Sequence, residues 1–455
     1  MQSVDSTIQL IQIREQQGTD NQAQQGTSEH PTTCSSALAD PPWTFDSDPT
    51  YGPGASIADH LPATAPRQPG LPAEYRNASP GELDLRIRAA KHTLGEKLVI
   101  LGHFYQRDEV IQYADFVGDS FQLANAARTR PAAEAIVFCG VHFMAETADM
   151  LSRPDQAVIL PNLAAGCSMA DMADLDSVTD CWEQLDQILG TGLTPDGLAQ
   201  VIPVTYMNSS AALKAFCGEH GGVVCTSSNA AQVLDWAFQR GQRVLFFPDQ
   251  HLGRNTAKAM GIPLDQMPVW NPNLPLGGNA PEALRSARVL LWHGYCSVHK
   301  RFTVEQIALA RHRHPGGPNK TAVHVIVHPE CPMEVVDAAD SSGSTDFIVK
   351  AIAAAPPGST FAIGTEINLV QRLASQHPEH TIFCLDSIIC PCSTMYRIHP
   401  GYLAWVLEAL AQGHSQGKGR GAVLNRISVP ESVAVPARLA LQTMLNLPPN
   451  ATKPG

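Results

Sequence analysis

One ordered set of features recurs three times in this chain, and it limits the possible fold more than any other property of the sequence. Each copy opens with an apolar run ending in a polar cluster: His103-Phe-Tyr105, Tyr206-Met-Asn208 or His328-Pro-Glu330. A hydroxyl-bearing turn follows, as Gly118-Asp-Ser120, Thr226-Ser227-Ser228 or Gly343-Ser344-Thr345. A second apolar run ends in Gly140-Val-His-Phe143, Pro248-Asp-Gln-His251 or Gly364-Thr-Glu366. A third leads to a cysteine: Cys167, Cys296 or Cys392. One such parallel arises easily by chance. Four in the same order, three times over, mark internal repetition.

The runs themselves have strand length. They are Leu98–Leu101, Ala135–Phe138 and Ala157–Leu160, then Val201–Val204, Arg243–Phe247 and Arg288–Leu291, then Ala322–Val327, Thr360–Ile363 and His380–Phe383. Gly and Pro bound them, and Ala-rich helical stretches such as Ala124–Ala127 separate them. Continuous apolar runs alternating with helices predict parallel sheets covered by helices, the α/β class. Ligands of open parallel sheets sit at the carboxyl ends of the strands. If three such units face a common axis, three cysteines and three polar clusters meet there.

The rest of the chain adds exclusions. A formal charge of −12 without a basic stripe argues against a nucleic-acid or anionic membrane partner. The longest apolar runs, Leu98–Leu101 and Ala322–Val327, are far shorter than the roughly 20 residues of a membrane span. The start, Met1-Gln-Ser-Val-Asp5, lacks the basic and apolar regions of a secretory signal, so cytoplasm is expected. Eleven cysteines in 455 residues are too sparse for a disulfide scaffold and suggest reduced thiols, some of them metal ligands. The expected division is a largely disordered Gln/Pro-rich tail over 1–82 with at most a short helix around Ile8–Ile13, and repeats over 83–195, 196–312 and 313–400. C-terminal helices packing on the core, then a short tail, make up 401–455, and the Gly/Pro/Asn-rich stretch Asn271–Leu284 reads as a surface loop.

Three converging thiolates without a fourth suit either zinc with an open or histidine-filled position or a cubane iron–sulfur cluster with one iron free of protein thiolate. Cys167, Cys296 and Cys392 follow Gly or Pro turns, where a ligand can project, although Cys390 and Cys392 share one Cys-Pro-Cys turn and the pattern does not choose between them. Cys139, Cys217 and Cys225 lie on or beside apolar runs and read as buried hydrophobes, whereas Cys331 is expected to line the site. His103 and His328 occupy the same column of the repeat, which favours function over a lone structural histidine. Glu330, desolvated at the mouth of a dry site, is expected to have a raised pKa suited to proton shuttling. Tyr105 and Tyr206 can donate to oxyanions, and the Ser/Thr turns suit carboxylate or phosphate oxygens, although the same turns serve as ordinary helix caps.

Taken together, the chain resembles the quinolinate synthase family. The matching segments are His103-Phe-Tyr-Gln, Gly118-Asp-Ser, Gly140-Val-His-Phe-Met-Ala-Glu-Thr, Ala165-Gly-Cys-Ser, Tyr206-Met-Asn-Ser and Cys225-Thr-Ser-Ser-Asn. They continue through Pro248-Asp-Gln-His-Leu-Gly, Gly294-Tyr-Cys-Ser-Val-His, His328-Pro-Glu-Cys, Gly343-Ser-Thr, Gly364-Thr-Glu and Cys392-Ser-Thr-Met, across roughly residues 85–430. The resemblance implies three pseudo-symmetric, three-layer α/β domains around a central [4Fe–4S] cluster with one cysteine from each. It implies condensation of iminoaspartate with dihydroxyacetone phosphate to quinolinate, with loss of phosphate and water, in NAD biosynthesis. Functional coupling to L-aspartate oxidase, which makes iminoaspartate, goes with it.

By the same resemblance the metal ligands are Cys167, Cys296 and Cys392, the last chosen over Cys390 because it precedes x-x-Met. The implied substrate-binding residues are His103, Ser120, Tyr206, Asn208, Ser227, His328, Glu330 and Thr345, and the implied catalytic residues are Glu330, Tyr105, His103 and Tyr206. An open iron would act as a Lewis acid. Two features depart from the family: Cys384, Cys390 and Cys392 do not form the CxxCxxC run of some members, and the long N-terminal segment is extra. The competing readings are an iron–sulfur hydro-lyase acting on a hydroxy acid and a non-enzymatic metal-holding regulator. The sequence shows neither the basic surface nor the helix-turn-helix that would favour the regulator.

Overall fold

The computed structural model describes residues 70–316, 321–386, 391–415 and 422–447. Most of the segment read as a tail, the helix expected near Ile8–Ile13 and Cys390 lie outside them. Within the described part, helices begin earlier than the tail reading allowed, at Ala73–Arg76 and Pro80–Leu94. The second starts where Ser79 caps the Glu82 amide and Pro80 occupies the first turn, a strong local start signal.

Three sheets follow in chain order. The first holds β1 (Leu98–His103), β2 (Phe116–Gly118), β3 (Ala135–Cys139) and β4 (Ala157–Ile159). The second holds β5 (Ala199–Tyr206), β6 (Val223–Cys225), β7 (Gly241–Phe247), β8 (Val269–Trp270) and β9 (Val289–Trp292). The third holds β10 (His324–Val327), β11 (Ser341–Ser342), β12 (Thr360–Gly364) and β13 (Thr381–Cys384). A last strand, β14 (Arg426–Ile427), joins the outer edge of the first sheet antiparallel to β4. The spatial orders are β2-β1-β3-β4-β14, β6-β5-β7-β9-β8 and β11-β10-β12-β13. Stripped of β14 and β8, all three share one doubly wound order. In each, the chain reverses beside the first strand, the place where such sheets open a ligand crevice.

Burial explains the continuous apolar runs. All six residues of β1 and all five of β3 and β12 are buried, as parallel strands covered on both faces require. The third sheet shows the layering most simply. Val325 and Val327 of β10 face one cluster with Ile307 and Val335, while Ile326 faces another with Ile348 and Leu373. That alternation is the period of a strand between two helical layers.

The C-terminal helices pack back on this body. Pro400–Ser415 lies along Pro80–Leu94, and Glu431–Leu445 along Ala211–Glu219. Close approach in the second pair needs Gly218, because a Cβ there would come 1.9 Å from the Pro436 carbonyl oxygen. The stretch read as a surface loop is more ordered than expected. Its end forms the start of the short helix Pro281–Ser286, and Gly277, at φ +64°, lies against the buried Trp270 ring. No helix among the described residues is long and apolar enough to cross a membrane.

Candidate active site

Each first strand delivers a polar cluster at its carboxyl end, each second strand a hydroxyl turn and each last inner strand a cysteine. These ends meet in one cavity. The first repeat contributes His103, Tyr105, Ser120 and Cys167; the second contributes Tyr206, Asn208, Ser227 and Cys296; the third contributes His328, Glu330, Thr345 and Cys392. Every site residue named from the sequence lines it. Among the described residues, no lysine or arginine does. Cys331, expected at the site, instead packs beside Val327 and Val335 in the core of the third repeat, and Cys139, Cys217 and Cys225 are fully buried.

Helix starts resolve the cap-or-ligand question at the hydroxyl turns. Asp119 caps Ser120–Arg128 through the Gln122 amide, and Ser344 caps Thr345–Ala353 through the Phe347 amide. The neighbouring Ser120 and Thr345 are the first helical residues and line the cavity. Cap and cavity roles therefore fall on adjacent residues, and two helix N-termini bring positive dipole ends to the site.

Two histidines in the same repeat column share one backbone device. The Tyr105 amide donates to His103 Nδ1 at 3.1 Å, and the Glu330 amide donates to His328 Nδ1 at 3.4 Å. Each Nδ1 is then an acceptor, which leaves the proton on Nε2. Burial, with the Arg372 cation near His103 and His299 near His328, pushes both pKa values down to about 3. Both rings are neutral donors at physiological pH. Arg372 also holds the loop after β1, bonding Asp108 at 2.6 Å and the Phe104 carbonyl at 2.8 Å.

Glu330 is the centre of the buried polar network. It accepts from Tyr206 Oη at 2.6 Å and lies 3.0 Å from His299 Nδ1. His299 Nε2 in turn lies 3.2 Å from Thr365 Oγ1 and 3.3 Å from Tyr105 Oη. The expectation of a raised Glu330 pKa is reversed. Burial pushes it up, but His299, His328 and the Tyr206 hydroxyl outweigh burial and hold it down to about 2. Burial and the Glu330 charge push both tyrosines well above their ordinary pKa, so they remain protonated donors.

The three cysteines occupy equivalent turns. The amide of the residue three positions on faces each sulfur: Ala170 for Cys167, His299 for Cys296 and Met395 for Cys392. The amide four positions on bonds each cysteine carbonyl, from Asp171 at 3.1 Å, Lys300 at 3.0 Å and Tyr396 at 3.0 Å. A 3₁₀ turn follows each time, at Ala170–Met172, His299–Arg301 and Met395–Arg397. Burial pushes the Cys167 thiol up to about 12 and raises the other two, and the sulfurs are near enough to raise one another. Three such thiols, each with an amide facing its sulfur, fit a metal core that displaces their protons on binding. The Cys296, His299 and Glu330 ligand atoms also lie within 4.8 Å of one another, the one metal-type group among the described residues at this cavity.

His299 is the principal residue that the sequence reading did not single out. The signal was present in the repeat, since Ala170 and Met395 hold its position in the other copies and only His299 brings a polar side chain. Thr365 and Glu366, at the end of β12, are likewise part of the network around the cavity.

Fold and site together define an α/β protein with three related parallel sheets whose strand ends meet in one three-cysteine cavity. The family model described as Quinolinate synthetase A protein matches residues 85–446. A quinolinate synthase of Corynebacterium glutamicum is 74% identical over 401 residues, covering 88% of this chain and 96% of its own length. Those of Herpetosiphon aurantiacus and Streptomyces coelicolor are 54% and 53% identical, each over 83% of this chain and over 96% and 91% of their own lengths. The chain belongs to the quinolinate synthase family.

Proposed function

We propose that this chain condenses iminoaspartate with dihydroxyacetone phosphate, releasing phosphate and water to give quinolinate for NAD biosynthesis. The observation that carries this reading is the convergence in one cavity of three thiols, two neutral imidazole donors and the Glu330–His299 pair. A [4Fe–4S] cluster on Cys167, Cys296 and Cys392 would keep one iron free of protein thiolate, a Lewis acid for carboxylate and hydroxyl oxygens. The equivalence of the three cysteine turns supports Cys392 as the third ligand.

The remaining work belongs to side chains and backbone. Without a P-loop, and with no lysine or arginine among the described lining residues, phosphate is held by the helix N-termini and hydroxyls at Ser120 and Thr345, with Ser227 beside them. His103 and His328 direct Nε2–H donors at substrate carboxylates. Asn208 offers a buried Oδ1 that has no partner among the described residues, suited to a substrate N–H or O–H. Glu330 takes carbon-bound protons on its carboxylate, His299 holds that carboxylate in place through Nδ1, and Tyr105 and Tyr206 donate to oxygen as charge develops there.

The cysteines described are all free, which suits a reducing cytoplasm. An aspartate-oxidising enzyme would supply the unstable imine. The test is anaerobic turnover with an iminoaspartate source and dihydroxyacetone phosphate, following quinolinate and inorganic phosphate together, with iron and sulfide measured on the same protein. Quinolinate with stoichiometric phosphate is expected. A cluster-loaded protein that dehydrates hydroxy acids but leaves dihydroxyacetone phosphate untouched would favour the hydro-lyase. Zinc without sulfide would redirect attention to Cys296, His299 and Glu330.

A further inference from the structure

The residue ending the middle strand of the third repeat has a task that the proposed chemistry does not use. Glu366 is fully buried, yet it does not line the cavity. Its Oε2 accepts from the Asn368 amide at 2.8 Å and so caps the helix Ile367–Gln376. Its Oε1 accepts the Asn368 side-chain amide at 2.8 Å and the Cys392 amide at 3.2 Å. The Cys392 turn is therefore held from both sides, its N–H by Glu366 and its carbonyl by Tyr396. A counterpart exists in the second repeat. Asp249, also fully buried, follows the middle strand there and caps its helix through the Leu252 amide at 2.6 Å, but its Oδ2 has no hydrogen-bond partner among the described residues. In the first repeat a backbone bond ties the same column to the cysteine turn, from the His142 amide to the Ala165 carbonyl at 2.8 Å.

We infer that Glu366 is a positioning residue for the Cys392 thiolate, fixing its turn so that the third sulfur is presented to the metal core. This rests on the cluster reading above. A glutamate suits the task because it can cap its own helix and still reach the neighbouring turn. Aspartate, at least as good a cap, is one methylene shorter.

That difference supplies the experiment. Wild type, Glu366→Asp and Glu366→Gln are reconstituted anaerobically, checked for equal helicity by circular dichroism, and challenged with a chelator while cluster absorbance, iron and sulfide are followed. Glu366→Asp keeps the cap and the carboxyl group but withdraws from Cys392; its cluster should be lost about tenfold faster or more, in line with other outer-shell changes. Glu366→Gln has a single acceptor oxygen for the Cys392 amide and the helix-capping amides of Asn368 and Leu369, so its NH₂ faces an N–H donor on one side; its cluster should be lost faster than that of wild type but no faster than that of Glu366→Asp. Equal loss rates for Glu366→Asp and wild type would overturn the inference, and so would a glutamine variant more labile than the aspartate one, since the helix cap rather than the reach to Cys392 would then be what matters. A wild type that takes up no iron and sulfide would instead overturn the cluster reading itself, so the two failures are distinguishable.

Discussion

Replacing Glu330 by glutamine probes the network at its centre. The carboxylate is 3% exposed and accepts from Tyr206 at 2.6 Å, with His299 at 3.0 Å on its other oxygen. An amide of the same shape can keep its oxygen toward the His299 Nδ1–H and donate its NH₂ to a rotated Tyr206 hydroxyl. The fold should survive. Two hydrogen bonds to a charged acceptor become neutral ones, a difference of about 1–3 kcal/mol in stability. Catalysis loses far more, because the amide cannot take a proton. General acid–base groups contribute about 10²- to 10⁴-fold. At about 1.36 kcal/mol per decade that is roughly 3–5 kcal/mol of barrier.

The assay is steady-state quinolinate formation on protein matched for iron and sulfide, beside a thermal melt. If Glu330 acts on protons in the transition state, kcat and kcat/KM fall together and KM changes little. A kcat within about threefold of wild type at full cluster content would refute the assigned role. A variant that fails to load metal would instead place Glu330 in the metal site with Cys296 and His299.

Cys167→Ser, Cys296→Ser and Cys392→Ser should each prevent assembly of an intact cluster, whereas Cys390→Ser should not; a stable cluster in the Cys392 variant, read by absorbance and sulfide content, would show the ligand choice to be wrong. Burial pushes the Lys214 pKa down from 10.5 to about 8, so the unfolded chain binds the extra proton between those values. Stability should therefore rise from pH 8 to 10.5 by up to about 3 kcal/mol relative to Lys214→Met. A difference in urea midpoint that stays flat with pH would contradict that. Gly218→Ala should destabilise by about 1–3 kcal/mol despite alanine's better helix propensity, since the added carbon meets the Pro436 carbonyl; a higher melting temperature would refute the close-packing account.

Much of the fold was legible because its inner strands are long, apolar and buried on both faces. The missed strands are short: β2 and β6 have three residues each, and β8, β11 and β14 have two. Periodicity has nothing to work on at that length, and their pairing is set by neighbours distant in sequence. Site residues were legible for a different reason, since a repeat compares each residue with two counterparts. That comparison also marks the limit of the method. Column agreement drew attention to His103 and His328, while His299, unlike Ala170 and Met395, had no agreement to reveal it. The direction of the Glu330 shift was invisible for a related reason, because His299 lies 31 residues away in sequence and Tyr206 lies 124 away.

The absence of lysine and arginine from the described cavity lining has a consequence for how charge is arranged. Three thiols, the Glu330 carboxylate and anionic substrates in one buried space would repel strongly if all were ionised together. The offset from these lining residues comes from helix N-termini, amide donors at sulfur, the neutral rings of His103 and His328, and His299 beside Glu330. Burial accordingly keeps the free thiols protonated and leaves Glu330, beside His299, as the lining carboxylate held well below its ordinary pKa. On the proposed reading, the positive charge that a cationic side chain would supply elsewhere comes with the metal core. A lysine placed among these thiols would compete with that core for the thiolates, whereas amides and dipoles favour both. The three equivalent cysteine turns and the lysine- and arginine-free lining are thus two sides of one electrostatic arrangement.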